Sequence, residues 1–209
     1  MRNPIMWFKR RLAHHLGTLI VVTVLSVSFT SAETILVHGD SLSAGYGIEV
    51  SDGWVALMDD ALGTQTQVVN SSISGETSRG GLDRLPGLLE AHQPDILILE
   101  LGANDGLRGY PLTQLRDNLE QMIQMAQNQG ARVVLLGMRL PPNLGRRYIE
   151  PFMNIYSDLA STYNLPFLPF MLEGVAENRE LMQADGLHPT AAAQPILLDN
   201  ILSLVEEAR

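Results

Sequence analysis

Short apolar runs alternate along this chain with amphipathic ones. Thr34-Ile35-Leu36-Val37-His38, Thr66 to Val69, Ile96 to Leu101 (broken only by Glu100), Val133 to Gly137 and Leu165 to Phe170 are short and apolar toward both sides. That is the pattern of strands buried on two faces. Between them the apolar residues recur at helical spacing. Asp52-Gly53 introduces a helix over Trp54 to Leu62, and Leu82, Leu85, Leu88 and Leu89 mark a second, in which Pro86 predicts a kink. Pro111 opens the cleanest stripe, Leu112, Leu115, Leu119, Met122, Ile123 and Ala126, and Gly130 stops it. A fourth helix is expected over Tyr148 to Tyr163. The last turns Leu197, Ile201, Leu204 and Val205 inward, with Pro189 suited to its first turn and Pro195 a break or a late start.

Strands alternating with helices predict an α/β fold of three layers, a parallel five-stranded sheet covered by helices on both sides. Five strands fit a flavodoxin-like α/β/α order, 2-1-3-4-5. That order places a switch point between strands one and three, where open sheets hold their ligands. No repeat, linker or low-complexity stretch divides the chain, so one domain is expected over residues 33–209.

Residues 1–32 read differently. Arg2, Lys9, Arg10 and Arg11 give a positive start, Leu16 to Phe29 is uncharged and mostly apolar, and Thr30-Ser31-Ala32 offers small residues. This is the pattern of a cleaved signal peptide, and the expected location is periplasmic or secreted. An uncleaved anchor is the competing reading, since the uncharged stretch extends from Leu12 to Ala32. No later segment is long and apolar enough to span a membrane, so no stable insertion is expected after cleavage. Cleavage removes four basic residues and no acidic one, which takes the net charge from −9 to −13. Such a surface repels nucleic acid and anionic lipid, and no nucleic-acid partner is expected. The chain has no cysteine, which excludes thiol nucleophiles and thiolate metal sites, and its one lysine is Lys9.

Chemistry must therefore rest on other groups. Four polar pieces fall just after strands or before the last helix: Gly39-Asp40-Ser41, Asn70 to Thr77, Gly102-Ala103-Asn104-Asp105 and Asp185-Gly186-Leu187-His188-Pro189. Each alone has an ordinary reading as a turn, a helix cap or a surface histidine. Together they supply what acyl transfer through serine requires. Ser41 offers a hydroxyl on a turn at the sheet's carboxyl edge. His188 is the natural base, and Asp185 can fix its tautomer from three residues away. Gly75 can present a bare backbone N–H and Asn104 a side-chain amide to an oxyanion. His92, at a helix end beside Gln93-Pro94, and His38, at the end of the first strand, compete less well as bases.

These pieces resemble the four blocks of the SGNH, or GDSL, hydrolases. Gly39 to Gly47, Ser74-Gly75-Glu76-Thr77, Asn104 to Gly109, Leu140-Pro141-Pro142-Asn143 and Gln183 to Pro189 resemble the periplasmic thioesterase I, arylesterase and lysophospholipase branch. Ala103 departs from the glycine frequent there. The resemblance implies a Ser41–His188–Asp185 triad, oxyanion donors from Ser41, Gly75 and Asn104, and no metal or cofactor. The expected substrate is a small carboxylic ester or thioester. Two loops, Asp105 to Pro111 and Arg139 to Tyr148, are expected to form the acyl pocket through Leu107, Arg108, Tyr110, Leu140, Pro141 and Pro142. Two other classes compete. A flavin-binding electron carrier would use Ser72 to Thr77 as a phosphate loop, but flavodoxins place that loop after strand one, and an aromatic content of 6% leaves few rings for a flavin. A catalytically dead binding module fits poorly with intact triad residues.

Overall fold

The structure, a computed structural model, describes residues 32–209. The export leader expected over residues 1–32 lies, but for Ala32, outside them. Five strands form one sheet: β1 Glu33–Gly39, β2 Thr66–Asn70, β3 Ile96–Glu100, β4 Arg132–Leu136 and β5 Phe167–Leu168. Every pairing is parallel and the order is β2-β1-β3-β4-β5, as the apolar alternation predicts. β3 is buried along its whole length, which explains a run of Ile and Leu without polar alternation.

The helices are α1 Ser41–Ala44, α2 Trp54–Leu62, α3 Ser78–His92, α4 Ala103–Leu107, α5 Leu112–Asn128, α6 Arg146–Tyr163 and α7 Gln194–Ala208. Handedness distributes the long ones. The chain steps one way from β1 to β2 and the other way at every later crossover. Right-handed connections then put α2 on one face and α3, α5 and α6 on the other. The contacts agree: α2 packs on α7, whereas α3 packs on α5 and α5 on α6. Leu115, Leu119, Met122 and Ile123 are wholly buried on α5, each stabilising by about 1.5–3 kcal/mol. A long-range contact caps α2, whose Gly53 has no side chain to do so. The buried Gln194 accepts the Trp54 N–H at 3.0 Å.

Prolines account for most departures from the expected elements. α3 runs through Pro86, whose ring is on the exposed side, so the lost hydrogen bond faces water. α6 starts at Arg146, two residues before its predicted start, and contains Pro151, also exposed. Pro189 does not open the last helix. It pairs with Met182 in an isolated bridge, and α7 starts late, with Pro195 in its first turn. β5 keeps only Phe167 and Leu168 of the longer run expected. At the carboxyl edge Gly39 stands opposite Glu100 and Val37 opposite Asn70, so the segments leaving β1, β2 and β3 emerge side by side.

Candidate active site

The turn after β1 is tight for a steric reason. A Cβ on Gly39 would run into Glu100 Oε2 and lie 2.9 Å from Ser43 Oγ, so only glycine fits. The next residue, Asp40, is buried and caps α1, its Oδ1 accepting the Leu42 N–H at 3.1 Å. Ser41 is therefore the first residue of a one-turn helix rather than part of an open loop. Its N–H is among those that a helix start leaves without an intrahelical acceptor. Its hydroxyl lies between the Asp40 side chain, at 3.5 Å, and an imidazole.

That imidazole is His188. Its Nε2 is 2.9 Å from Ser41 Oγ, and its Nδ1 is 2.7 Å from Asp185 Oδ2. A carboxylate only accepts, so Nδ1 carries the proton in the neutral ring and Nε2 is free to accept from the serine. The local sequence builds this turn. Asp185 Oδ1 takes the Leu187 and His188 N–H groups at 2.9 and 3.1 Å, and Gly186 sits at φ 67° between them. The bond from His188, followed by the one from the Leu187 N–H, holds the Asp185 carboxyl down at about 2. The Tyr46 ring lies against the imidazole, centroids 4.4 Å apart, and Gln183 Nε2 ties the Tyr46 carbonyl to the same turn at 2.8 Å.

Asn104, in the first turn of α4, gives one amide N–H to Asp40 Oδ2 at 2.9 Å and has a second to offer. Gly75, at φ 81°, adopts a backbone that side chains disfavour. Two contacts tie its loop to that of Asn104. The buried Asp105 accepts the Ser78 N–H at 2.8 Å and the Ser78 hydroxyl at 2.6 Å, which satisfies the start of α3. Arg108 donates to the Gly75 carbonyl at 3.0 Å.

A cleft of about 150 Å³ opens over Ser41, Asn104 and His188. Leu107, Leu140 and Pro141 line it, together with Met138, Phe170 and Leu172, for which the sequence reading had no signal beyond hydrophobicity. A second cleft of about 520 Å³ shares Leu140, Pro141, Phe170 and Leu172 and continues past Pro142 and Ile149. Arg108 and Tyr110 line neither cleft. Gly75 is likewise absent from the lining, its carbonyl bound by Arg108. Ala103 lines the first cleft, so its methyl group is accommodated. His38 is buried under α3 and His92 ends that helix, so neither shares the cleft.

The family model for GDSL-like lipase/acylhydrolases matches residues 37–195, from inside β1 to the start of α7. The chain belongs to this family. It is an ester hydrolase of the SGNH kind, on the thioesterase I branch. It is 51% identical over 181 residues to the esterase TesA of Pseudomonas aeruginosa, covering 85% of this chain and 90% of that protein. To the thioesterase 1/protease 1/lysophospholipase L1 of Escherichia coli K12 it is 46% identical over 185 residues, 88% of each chain. The crystal structure of TesA superposes with a TM-score of 0.82 at 49% identity, over 85% of this chain and all of that one.

Proposed function

We propose that this chain is an exported serine hydrolase in which Ser41 attacks the acyl carbonyl of an ester or thioester. The relay from Asp185 through His188 to Ser41, at 2.7 and 2.9 Å on the floor of a cleft, carries this reading. His188 Nε2 takes the serine proton as Oγ bonds to the carbonyl carbon. The oxyanion is held by the Ser41 and Gly75 N–H groups and the second amide N–H of Asn104. As the tetrahedral intermediate collapses, the carbon–oxygen or carbon–sulfur bond breaks and His188 protonates the leaving alcohol or thiol. Water then attacks the acyl-serine, giving its proton to His188, and the acid leaves with Ser41 Oγ reprotonated. Asp185 stays charged throughout and fixes the tautomer.

Substrate choice follows from the clefts. Leu107, Leu140, Pro141 and Pro142 form apolar walls leading away from Ser41, suited to an acyl chain of medium length. Arg108 serves the site by holding the Gly75 carbonyl, and Tyr110 is an exposed residue outside both clefts. Aryl esters fit this arrangement, as do acyl thioesters and lysophospholipids, the last two in line with the activities named for the Escherichia coli relative. The flavin-carrier alternative has no observation in its favour, since Thr77 in the would-be phosphate loop already caps α3 through the Gly80 N–H at 3.2 Å.

Three measurements test the reading. An organophosphonate should form one adduct, on the peptide containing Ser41. Hydrolysis of nitrophenyl esters and acyl thioesters of rising chain length should show saturation with acyl length. An adduct on another residue overturns the assignment. Export predicts a mature chain of residues 33–209, so protein recovered from the periplasm should have the intact mass of a chain beginning at Glu33. Among the described residues no helix is long and apolar enough to cross a membrane.

A further inference from the structure

β3 is apolar along its length except at its last residue, Glu100, and that side chain is completely buried. Oε2 accepts the Ser43 hydroxyl at 2.6 Å and the Asp40 N–H at 3.1 Å, while Oε1 has no partner among the described residues. Asp40, directly above, is 1% exposed and uses both oxygens, Oδ1 for the Leu42 N–H and Oδ2 for the Asn104 amide. Two carboxyl groups thus share one dry site, and among the described residues no cation is paired to either. Both cannot ionise there at acceptable cost. Asp40 receives N–H donors on both oxygens, which favours its charged form. Glu100 has an oxygen to spare, which suits a proton.

We propose that Glu100 is a positioning residue that keeps a proton at neutral pH and, by accepting the Asp40 N–H and the Ser43 hydroxyl on Oε2, fixes the residue whose side chain aims Asn104 and caps the Ser41 turn. Burial pushes Glu100 well above the ordinary carboxyl range, and the neighbouring Asp40 charge pushes it further. Burial raises Asp40 as well, while the Leu42 N–H, Glu100 and Asn104 bonds and the His188 charge oppose that rise. Of the other titratable groups nearby, Tyr156 on α6 is buried with its hydroxyl donating to the Leu101 carbonyl at 3.0 Å and offers no charge, and Asp105 on α4 spends its carboxyl on Ser78. Glu100 therefore acts through Asp40 on the oxyanion donor and itself never touches substrate.

This inference rests on the reading of Ser41 as nucleophile and is separable from it by experiment. Glu100→Gln preserves a neutral group with one acceptor and one donor. It should keep kcat within about twofold, and the infrared band of a protonated buried carboxyl, present in the parent at neutral pH, should be missing. Glu100→Ala frees Asp40, and kcat should fall about tenfold to a hundredfold with KM nearly unchanged, the scale of a misaimed catalytic group. In an Asn104→Ala background the same change should cost much less, because both act through one donor. A Glu100→Gln variant that is as impaired as the alanine variant overturns the proposal, as does absence of the carboxyl band in the parent. So does a folded Glu100→Ala variant with parental kcat. If Glu100→Ala does not fold, the glutamine variant and the band still decide. Phosphonate labelling of Ser41 should persist in the Glu100 variants. Its absence in the parent would instead remove the nucleophile assignment.

Discussion

Two histidines in this protein each lie against a serine hydroxyl, and only one of them is built to act as a base. His188 Nε2 is 2.9 Å from Ser41 Oγ, and His38 Nδ1 is 3.0 Å from Ser71 Oγ. In each ring the other nitrogen meets a group that can only accept, Asp185 for His188 and the Gly81 carbonyl for His38. Each neutral ring therefore turns a bare nitrogen to its serine. The surroundings differ. His188 is backed by a carboxylate and opens on a cleft. His38 is wholly buried, with the Arg84 guanidinium 3.4 Å from the same nitrogen. Burial, opposed by the Gly81 bond and aided by the Arg84 charge, lowers His38 to about 4. The single Ser71 hydroxyl proton is contested by the Val37 carbonyl, 2.9 Å away. A serine–histidine contact is thus an inexpensive structural tie. It becomes a proton relay only with a charge behind the ring, a substrate in front and donors for the anion.

The largest expected effect comes from exchanging the two serines for alanine. Ser41→Ala should lower kcat about 10⁴-fold or more, whereas Ser71→Ala should leave it within a few-fold. Steady-state kinetics on one nitrophenyl ester decides this, and equal losses would end the distinction. Asn104→Ala removes a donor that has no counterpart beside His38. It should lower kcat roughly 10²–10³-fold with KM nearly unchanged, and a change confined to KM would make Asn104 a binding residue instead.

Protonation separates the two rings next. The folded protein holds His38 neutral down to about pH 4, while the unfolded chain protonates it near 6.5. The unfolded state then binds more protons between those values. The stabilisation is complete above about pH 6.5 and disappears as pH falls through about 4, a loss on the order of 3 kcal/mol. Urea titrations across that window should show it, and His38→Gln should flatten the dependence without moving the acid limb of activity. His188 must be unprotonated to accept from Ser41, and Asp185, held at about 2, stays charged behind it.

The smallest effect is in the clefts. Each acyl methylene buried along Leu140 and Phe170 should raise kcat/KM by up to about 0.8 kcal/mol until the space is full. A flat chain-length series would show that the acyl group lies elsewhere.

Much of this was legible in the chain itself. Trp54 to Leu62 is a helix with the predicted ends, and the strand order followed from the alternation of apolar runs. Local signals went astray where a proline had two plausible roles. Pro189 looked like a helix start, yet it lies in the bridge that closes the His188 turn. Glu100 read as an interruption in an apolar strand, because its partners come from the other side of a sheet pairing. Arg108 read as a substrate contact, and no sequence signal pointed to the Gly75 carbonyl that it holds.

By itself the sequence determined the alternation of buried strands and amphipathic helices. With it came the sheet order and the fact that Ser41, Gly75, Asn104 and His188 all leave strands or precede a helix near one edge. Those properties are local, set by side-chain period, glycine and proline. Only the tertiary structure decided which nitrogen of each histidine faces a serine, that Glu100 lies beneath Asp40, and that Asp105 caps the start of α3. These contacts join residues far apart along the chain, 147 positions for Ser41 and His188 and 60 for Asp40 and Glu100. Their geometry is fixed by strand register and helix packing, and no window of sequence contains both partners.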